Sequence, residues 1–338
     1  MILRLQSAEG SEATIQLATV RGRVKSRVDG AHPLRSFDSR THLRRIAIVL
    51  LSAICRTWVP FILLGALNRV FPAFASVFFC YAGNERYARH YSYSSCRNFL
   101  LWFPSIIGIF RQGRKWGLIC AAPVTEAEFS DPKNSTELLR LVRRLQRIKA
   151  ILGADRLSYA GILPTILNRR WPEMTHDSQD HTPEVVRRAV QEVRAKHFNG
   201  YPHNVVLLGG AGRIGRAVHH LLKQDGIDPI VLDPAAPASA NLNALILPST
   251  LLVDVSRHGT IQRYLDEIPE GTVVLNEVFP EPNREVLAEF RNKNIAAYHI
   301  AGVLAQVYPS LPMGYRNALP CCAIHSSNVG DPILRRIS

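Results

Sequence analysis

The stretch NVVLLGGAGRIGRAVHHLLKQDGIDPIVLD, residues 204–233, decides the fold predicted for this chain. It begins with an apolar run at residues 205–208 that has strand character and ends in a glycine-rich loop. An amphipathic helix pattern follows, and a second apolar run at residues 230–232 closes on Asp233. The order strand, glycine loop, helix, strand and acid predicts a βαβ unit that binds a dinucleotide. The alternative is a βαβ unit that binds nothing.

Three glycines in the loop, Gly210-x-Gly212-x-x-Gly215, have the spacing of a dinucleotide-binding motif. Gly210 is expected to allow a tight turn, Gly212 to let the backbone approach a pyrophosphate, and Gly215 to let the helix pack closely on the strand. The N–H groups at the helix start would then face the phosphates. The residues predicted to contact the cofactor are Gly210, Ala211, Gly212, Arg213, Ile214, Gly215, Asp233, Val255 and Ser256.

Length and composition favour a globular protein with two ordinary domains, since the chain has 338 residues, of which 47% are hydrophobic and 20% charged. The formal net charge of +14 favours anionic partners such as nucleotide cofactors, acidic carriers or an anionic membrane, although a generally basic surface is the simpler interpretation. No nucleic-acid module is recognisable, so no nucleic-acid partner is expected. The six cysteines form no CxxC or zinc-spaced pattern, which predicts no metal site and a cytoplasmic protein with reduced thiols.

Alternating strand and helix patterns predict an α/β protein with a C-terminal, doubly wound Rossmann domain built on a parallel sheet. A smaller α/β lobe and an apolar helical region are expected before it. The predicted domains are a basic, disordered extension at 1–45, a substrate lobe at 46–200, an NAD(P)-binding domain at 201–310, and a segment at 311–338 that returns towards the first lobe. The predicted strands are 76–81, 116–121, 157–163, 251–255, 272–278 and 295–300, and the predicted helices are 138–152, 183–196, 260–268 and 284–292.

Residues 46–79 are strongly apolar and follow Arg44 and Arg45. A membrane-spanning helix would need about 20 uninterrupted apolar residues, and Arg56, Pro60 and the pair Asn68-Arg69 break the run. A buried helical hairpin and a helix lying on a membrane surface fit at least as well. The localisation expected is therefore cytoplasmic, with peripheral binding at the inner face of the membrane as an alternative.

From residue 177 to 322 the layout resembles the shikimate-dehydrogenase-like group of Rossmann domains, which includes glutamyl-tRNA reductases and long-chain acyl-carrier-protein reductases. The segments that carry the resemblance are Asp180-His181-Thr182, the helix after Pro183, residues 210–215, Ser256-Arg257-His258-Gly259, Phe279-Pro280, Ala301-Gly302 and a cysteine-bearing segment at 318–325. The resemblance implies an NAD(P)-dependent oxidoreductase that transfers hydride to or from a carbonyl or acyl-thioester substrate. That substrate would be a small molecule or carrier-bound.

The chain departs from this group at Asp233, which no clear Arg/Ser pair follows. A carboxylate at this place binds the ribose hydroxyls of adenosine, so the expected cofactor is NAD. NADP stays open because Arg213 could hold a 2′-phosphate.

Reduction of an acyl thioester would need a nucleophile, and Cys321 or Cys322 could supply it, with His325 one turn beyond if the segment is helical. The alternative is a pair of buried structural cysteines. A plain carbonyl reductase would need only a proton donor, for which His258, His299, Tyr298 and His181 are candidates.

Some segments are also similar to D-2-hydroxyacid dehydrogenases. That resemblance implies that Arg257 binds a carboxylate, His299 moves a proton and Glu281 raises the pKa of the histidine. The spacing after Asp233 is too short for this family. A non-catalytic NAD(H)-binding regulatory or membrane-associated protein is a further alternative.

Overall fold

Two β-sheets form the framework of the protein, as seen in a computed structural model. The structure describes residues 39–173, 180–199, 204–233, 249–311, 318–326 and 329–338, all within the compact unit Ser39–Ser338. Residues 1–38 of the predicted extension lie outside the described residues, and residues 39–45 already belong to a helix.

The first sheet has five strands, three of which are parallel. In spatial order they are β10 (Gln306–Tyr308), β2 (Ser105–Gln112), β3 (Lys115–Thr125), β1 (Phe74–Gly83) and β4 (Arg156–Tyr159). Strand β1 pairs in parallel with β3 and β4, whereas β2 pairs antiparallel with β3 and β10. The predicted strands at 76–81 and 116–121 are confirmed as parts of β1 and β3.

Helices precede and cover this sheet. They are α1 (Ser39–Arg56), α2 (Val59–Val70), α3 (Glu85–Tyr91), α4 (Arg97–Leu100), α5 (Glu126–Ser130), α6 (Ser135–Leu152) and α7 (Leu163–Arg170). Helix α6 confirms the amphipathic pattern, because Leu138, Leu141, Leu145 and Leu152 are buried on the side that contacts β1 and β4, whereas Arg140, Arg143 and Arg147 are exposed. Within the described chain no helix is by itself long and apolar enough to cross a membrane. Helices α1 and α2 satisfy that test only as a pair bent by 74° at their junction.

The second sheet is the predicted doubly wound Rossmann sheet. Its spatial order is β11 (Ala318–Leu319), β9 (Ala296–Leu304), β8 (Val273–Asn276), β7 (Thr250–Asp254), β5 (Asn204–Leu208) and β6 (Ile230–Leu232), with β12 (Pro332–Arg336) also paired to β9. Strands β6, β5, β7, β8 and β9 are parallel, and β11 and β12 are antiparallel to β9. The three helices beside it are α8 (Thr182–Phe198), α9 (Arg213–Gln224) and α10 (Arg284–Asn292).

Alternating side chains of β5 bury both faces of this sheet. Val205 and Leu207 face the core that contains α8 and α9, whereas Val206 and Leu208 face the core that contains α10. Burial on both faces is the reason that the strand reads as a continuous apolar run. The predicted fold class, α/β with a doubly wound parallel sheet and a smaller α/β lobe before it, is confirmed.

Three predicted elements differ from the structure. The strand predicted at 157–163 stops at Tyr159, because Gly161 turns the chain with φ of 56° and α7 then begins at Leu163. The helix predicted at 260–268 is only a 3₁₀ turn, Ile261–Tyr264, with no side-chain cap at its start. The cysteine-bearing segment is likewise a short strand followed by the 3₁₀ turn Cys321–Ala323.

The C-terminal residues contact both sheets. Strand β10 extends the first sheet, and His325 Nδ1 lies 3.0 Å from Oγ of Ser76 in β1. The Arg156 guanidinium donates a 3.0 Å hydrogen bond to the carbonyl oxygen of His325. Strand β12 then returns to the second sheet, so the end of the chain ties the two sheets together.

Candidate functional site

The candidate site lies at the carboxyl edge of the second sheet, between β5 and β7. From β5 the chain moves outward to β6, and it then crosses back to β7 on the other side of β5. This reversal creates a crevice at the strand ends, which is where open α/β sheets bind ligands. The glycine-rich loop follows β5 at this crevice, and Val255 and Ser256 follow β7.

Close packing requires glycine at two positions of the loop. Gly209 takes φ of 89°, and a Cβ there would lie 2.6 Å from Cα of Ser256. A Cβ on Gly215 would overlap the carbonyl oxygen of Gly209, so the helix can pack on the strand only without it. The turn predicted for Gly210 therefore belongs to Gly209, while Gly210 packs against Val231 of β6.

Gly212 has a different environment from these buried glycines. It is exposed, and the nearest atom to an added Cβ, 3.2 Å away, is the carbonyl oxygen of Gly209. It is also the N-cap of α9, where no side chain accepts a hydrogen bond from the first turn. The first-turn amides of a helix have no partner within the helix. The start of α9, from Arg213 to Gly215, can therefore bind an anion.

Asp233 ends β6 beside this loop and is 8% exposed. Its Oδ2 accepts a 3.0 Å hydrogen bond from the backbone N–H of Ala211, which fixes the loop and the carboxylate relative to each other. The Arg213 side chain forms a 2.7 Å ion pair with Asp180, which lies just before α8. Ile214 packs against the hydrophobic core.

Two further carboxyl groups follow the neighbouring strands. Asp254 at the end of β7 accepts a 2.5 Å hydrogen bond from Ser256 Oγ, and burial raises its pKa to about 6. Glu277 follows β8, and burial together with the charges of Asp180 and Asp254 raises its pKa to about 8. The Glu277 carboxyl group is therefore mostly neutral near pH 7.

Cys321 and Cys322 lie close to these acids. Burial raises the pKa of both thiols, and the negative charges of Glu277 and Asp180 raise it further. His325 does not approach them as expected, because the turn ends at Ala323 and His325 binds Ser76 instead. Backbone hydrogen bonds at the two thiols lower the pKa, but burial and the neighbouring acids outweigh them and disfavour the thiolate.

His299 is fully buried between β8 and β12. Its Nδ1 lies 2.9 Å from Nδ2 of Asn276, and its Nε2 lies 3.8 Å from Glu281, which is ion-paired with Arg335. Burial lowers the pKa of His299 to about 4, so the expected rise caused by Glu281 is wrong.

His258 is the predicted proton donor that remains exposed. Its Nδ1 lies 2.9 Å from the carbonyl oxygen of Pro280, which leaves Nε2 for another partner. Glu126, from the first sheet's side of the molecule, is close enough for the charges of His258 and Arg257 to lower its pKa, although burial raises it more. Residues from both sheets therefore meet here.

Tyr81 and Glu126 were not predicted as site residues. The hydroxyl of Tyr81 donates a 3.0 Å hydrogen bond to Glu126 and accepts one of 2.9 Å from the backbone N–H of Ile162. The sequence signal for Glu126 is weak, since it is one of two acids in the first turn of α5, where acids are common. Only the fold brings it opposite His258.

An apolar pocket opens beside Tyr81. Its walls come from α1, the carboxyl ends of β1 and β3, and the segments around α3 and α4, and they include Ile48, Ser52, Tyr91, Leu100 and Ala122. The ring of Tyr81 lines this pocket while its hydroxyl reaches Glu126. Tyr81 thus connects the pocket to Glu126, which lies within electrostatic range of His258.

No group of three or more His, Cys, Asp or Glu side chains among the described residues is arranged to hold a metal ion. The site is therefore built from a glycine loop, carboxyl groups and one accessible histidine.

No protein-family model and no curated protein sequence matches this chain. Among solved structures, L-tryptophan dehydrogenase from Nostoc punctiforme matches with 10% identity over 67% of this chain and 69% of that chain, at a TM-score of 0.31. Quinate dehydrogenase from Corynebacterium glutamicum in complex with NAD matches with 14% identity, 67% and 87% coverage, and a TM-score of 0.32. The D-isomer specific 2-hydroxyacid dehydrogenase from Lactobacillus delbrueckii ssp. bulgaricus, in an NAD-complexed form, matches with 12% identity, 67% and 80% coverage, and a TM-score of 0.28. At these values the likeness transfers neither substrate nor cofactor to this chain.

Proposed function

We propose that this protein is an NAD(H)-dependent oxidoreductase that acts on the carbonyl group of a substrate with an apolar body. The observation that carries the proposal is the uncapped start of α9 at the crevice between β5 and β7, with exposed Gly212 in front of it. The backbone there has donors for a pyrophosphate, and Gly212 itself adds no side chain. Bound NAD(H) would supply or accept the hydride.

The residues around the loop favour NAD over NADP. Asp233 lies where it can accept hydrogen bonds from ribose hydroxyls, and its negative charge would repel a 2′-phosphate. Arg213, the cation that could have received that phosphate, is paired with Asp180. Val255 and Ser256 border the same crevice after β7 and complete the proposed cofactor site.

His258 is the proposed proton donor to the substrate oxygen. Donation from its Nδ1–H to the carbonyl oxygen of Pro280 would hold the ring in one orientation and direct Nε2 away from the protein backbone. Glu126 and Arg257 lie within electrostatic range of it. We assign His258 the proton transfer in preference to His299, which is fully buried.

The pocket beside Tyr81 is proposed to hold the apolar part of the substrate. Its described lining residues are aliphatic, aromatic, serine or cysteine, with no charged side chain among them. The hydroxyls of Ser52 and Ser105 lie 2.6 Å apart and bind each other, which further reduces the polarity of the pocket. A substrate that extends from this pocket past Tyr81 would place its polar end near Glu126 and His258.

A covalent route through Cys321 or Cys322 is less well supported, because burial and neighbouring acids disfavour both thiolates. We therefore favour direct reduction of a carbonyl over thioester chemistry of the acyl-carrier-protein reductase type. The 2-hydroxyacid hypothesis needs His299 as its proton carrier, and it is less well supported because His299 is fully buried.

The central test is the binding of NADH to Gly212→Asp, measured by titration calorimetry beside the parent protein. The new carboxylate would project from the exposed loop towards the phosphates, so we expect affinity to fall by at least about tenfold while the fold is retained. Gln224→Asp places the same group at the other end of α9 and should bind NADH normally. Equal affinity of Gly212→Asp and the parent would refute the site.

A second experiment tests the chemistry. It measures the oxidation of NADH with decanal or decanoyl-coenzyme A as the substrate. We expect His258→Gln to lower the turnover of decanal by about 10²-fold or more without weakening NADH binding, whereas His220→Gln on exposed α9 should have no effect. If NADH binds but neither probe is reduced, the protein is a nucleotide-binding protein without this activity. Loss of decanoyl-coenzyme A reduction in Cys321→Ala would restore the covalent route.

A further inference from the structure

Helix α1 exposes a continuous apolar stripe to solvent. Leu43, Ile46, Leu50 and Ile54 follow the three- and four-residue spacing of one helix face, and between 48% and 68% of each side chain is exposed. Leu51, 41% exposed, widens the stripe. In a globular protein such a stripe normally faces the core.

Helix α2 continues the same surface after the 74° bend. Its exposed side chains are Val59, Ile62, Leu63, Leu67 and Val70, followed by Phe71 directly after the helix. Of the fourteen large apolar side chains that are exposed in the described chain, eleven belong to these two helices and Phe71. We call this surface, formed by those eleven side chains, the hairpin face.

The side of the hairpin that faces the protein combines polar and apolar contacts. Ser52 is fully buried against Ser105, and Asn68 is buried and hydrogen-bonds both the N–H and the carbonyl group of Phe74. Cys55 and Phe61 are buried in the core under the first sheet's helices. The hairpin is therefore fixed to the protein from one side, while its other side leaves a large apolar surface. Such a surface is expected where the outside is not water.

The segment that forms the hairpin face carries only positive charge. Residues 39–84 contain no Asp or Glu, whereas arginines occur at 40, 44, 45, 56 and 69. Arg69 is exposed in the last turn of α2. At the junction of the two helices, the guanidinium of Arg147 from α6 lies 4.4 Å from the ring centre of Trp58. Basic and tryptophan side chains beside an apolar face are typical of contact with lipid headgroups.

We propose that the hairpin face is a docking surface for a lipid bilayer with anionic headgroups. The apolar side chains would enter the boundary between headgroups and acyl chains, and the arginines would bind the phosphates around them. The protein would lie on one leaflet, because the bend between α1 and α2 directs both helices along a surface. This docking does not depend on the enzymatic function proposed above.

A second copy of the chain is a less suitable occupant. Two identical faces packed about a two-fold axis would set the arginines of one copy near those of the other. No carboxylate within residues 39–84 is available to compensate that repulsion. An anionic bilayer supplies the complementary charge.

The experiment is flotation of the full-length protein with vesicles of phosphatidylcholine, with or without phosphatidylglycerol. We expect binding to vesicles that contain phosphatidylglycerol and a fall of about tenfold or more in partitioning for Leu63→Asp, since one leucine leaves the bilayer and one negative charge is added. Arg69→Glu should weaken binding by about fivefold or more, and added salt should weaken it further.

Two matched variants separate docking from general stickiness. Leu304→Asp changes a side chain that is 69% exposed outside the hairpin, against 64% for Leu63, and Arg291→Glu reverses a charge on α10. Both should bind vesicles as the parent does, and circular dichroism should show that all four variants keep the parent's helix content. Equal losses in Leu304→Asp and Leu63→Asp would overturn the proposal. The proposal would also be overturned if the parent protein does not bind anionic vesicles and light scattering shows a dimer that Leu63→Asp dissociates.

Discussion

At the scale of single residues, Glu277 has a carboxyl pKa of about 8, raised by burial and by the charges of Asp180 and Asp254. In the unfolded chain the pKa of a glutamate carboxyl group is about 4.3. Between these two values the folded protein holds a proton that the unfolded chain has lost. The free energy of unfolding contributed by this group therefore falls as the pH rises through that window.

Glu277→Gln should remove this dependence. The variant is expected to melt at a temperature close to that of the parent at about pH 5, and about 2–4 °C or more above it at about pH 9, because a neutral amide replaces a buried anion. Thermal denaturation followed by circular dichroism measures the difference. Glu270→Gln, which alters an exposed carboxylate, serves as the control and should show no gain that grows with pH. A constant offset between Glu277→Gln and the parent at all pH values would contradict the assignment.

Some residues of the candidate site can be predicted from a short stretch of sequence, whereas others depend on contacts between distant segments. Gly212, Gly215 and Asp233 belong to one contiguous motif, so the sequence alone predicts where they lie. The positive φ of Gly209 depends on how β5 packs against Ser256, and the meeting of Glu126 with His258 depends on how the two sheets are joined. No spacing in the sequence encodes either contact.

At the scale of elements, the long amphipathic pattern of α6 and the apolar runs of the parallel strands were predictable because packing agrees with local preference. Strand β2 was not, since its apolar residues lie within a longer aromatic and aliphatic stretch that has no clean period. Strand β12, PILRR, is too short and too basic to be read as a strand, and its pairing with β9 supplies the stability. Asn68, which interrupts the apolar region, is also explained by contacts with other elements of the fold.

Asn68 connects α2 to two other elements. Its side chain hydrogen-bonds the N–H and carbonyl groups of Phe74 in β1 and, at 3.0 Å, the carbonyl oxygen of Leu152 in α6. Asn68→Ala should lower the free energy of unfolding by about 2–4 kcal/mol, because three buried backbone groups lose their partner.

Denaturant unfolding measures this loss. Asn292→Ala removes an exposed amide whose hydrogen bond to Glu289 is 3.3 Å, and it should change the stability by less than about 0.5 kcal/mol. If both variants lose the same stability, Asn68 does not hold the three elements together.

At the scale of the whole molecule, two histidines make the stability of the protein sensitive to acid. Burial lowers the pKa of both His299 and His325 to about 4. Each is neutral when folded at a pH at which an unfolded histidine, with a pKa of about 6.5, takes up a proton. Stability is therefore lost as the pH falls from about 6.5 towards 4.

His325→Gln should reduce this acid sensitivity, since His325 joins the C-terminal segment to β1 and lies near the positive charges of Arg156 and Lys115. We expect the free energy of unfolding to decline less steeply between about pH 6.5 and 4 than in the parent. Denaturant titrations across that range provide the slope. An unchanged slope in His325→Gln, or an equal change in the exposed control His220→Gln, would assign the sensitivity to other groups.

Helix α1 has one side on the hairpin face and the other, at Ile48 and Ser52, in the wall of the pocket beside Tyr81. Together, the proposed substrate pocket and the proposed bilayer surface place the substrate on one side of this 18-residue helix and the lipid on the other. Supply of substrate then becomes a two-dimensional process, in which molecules dissolved among the acyl chains reach the pocket by lateral diffusion. The relevant concentration is a mole fraction in the leaflet, and inert lipid added at constant total substrate acts as a diluent that slows the enzyme.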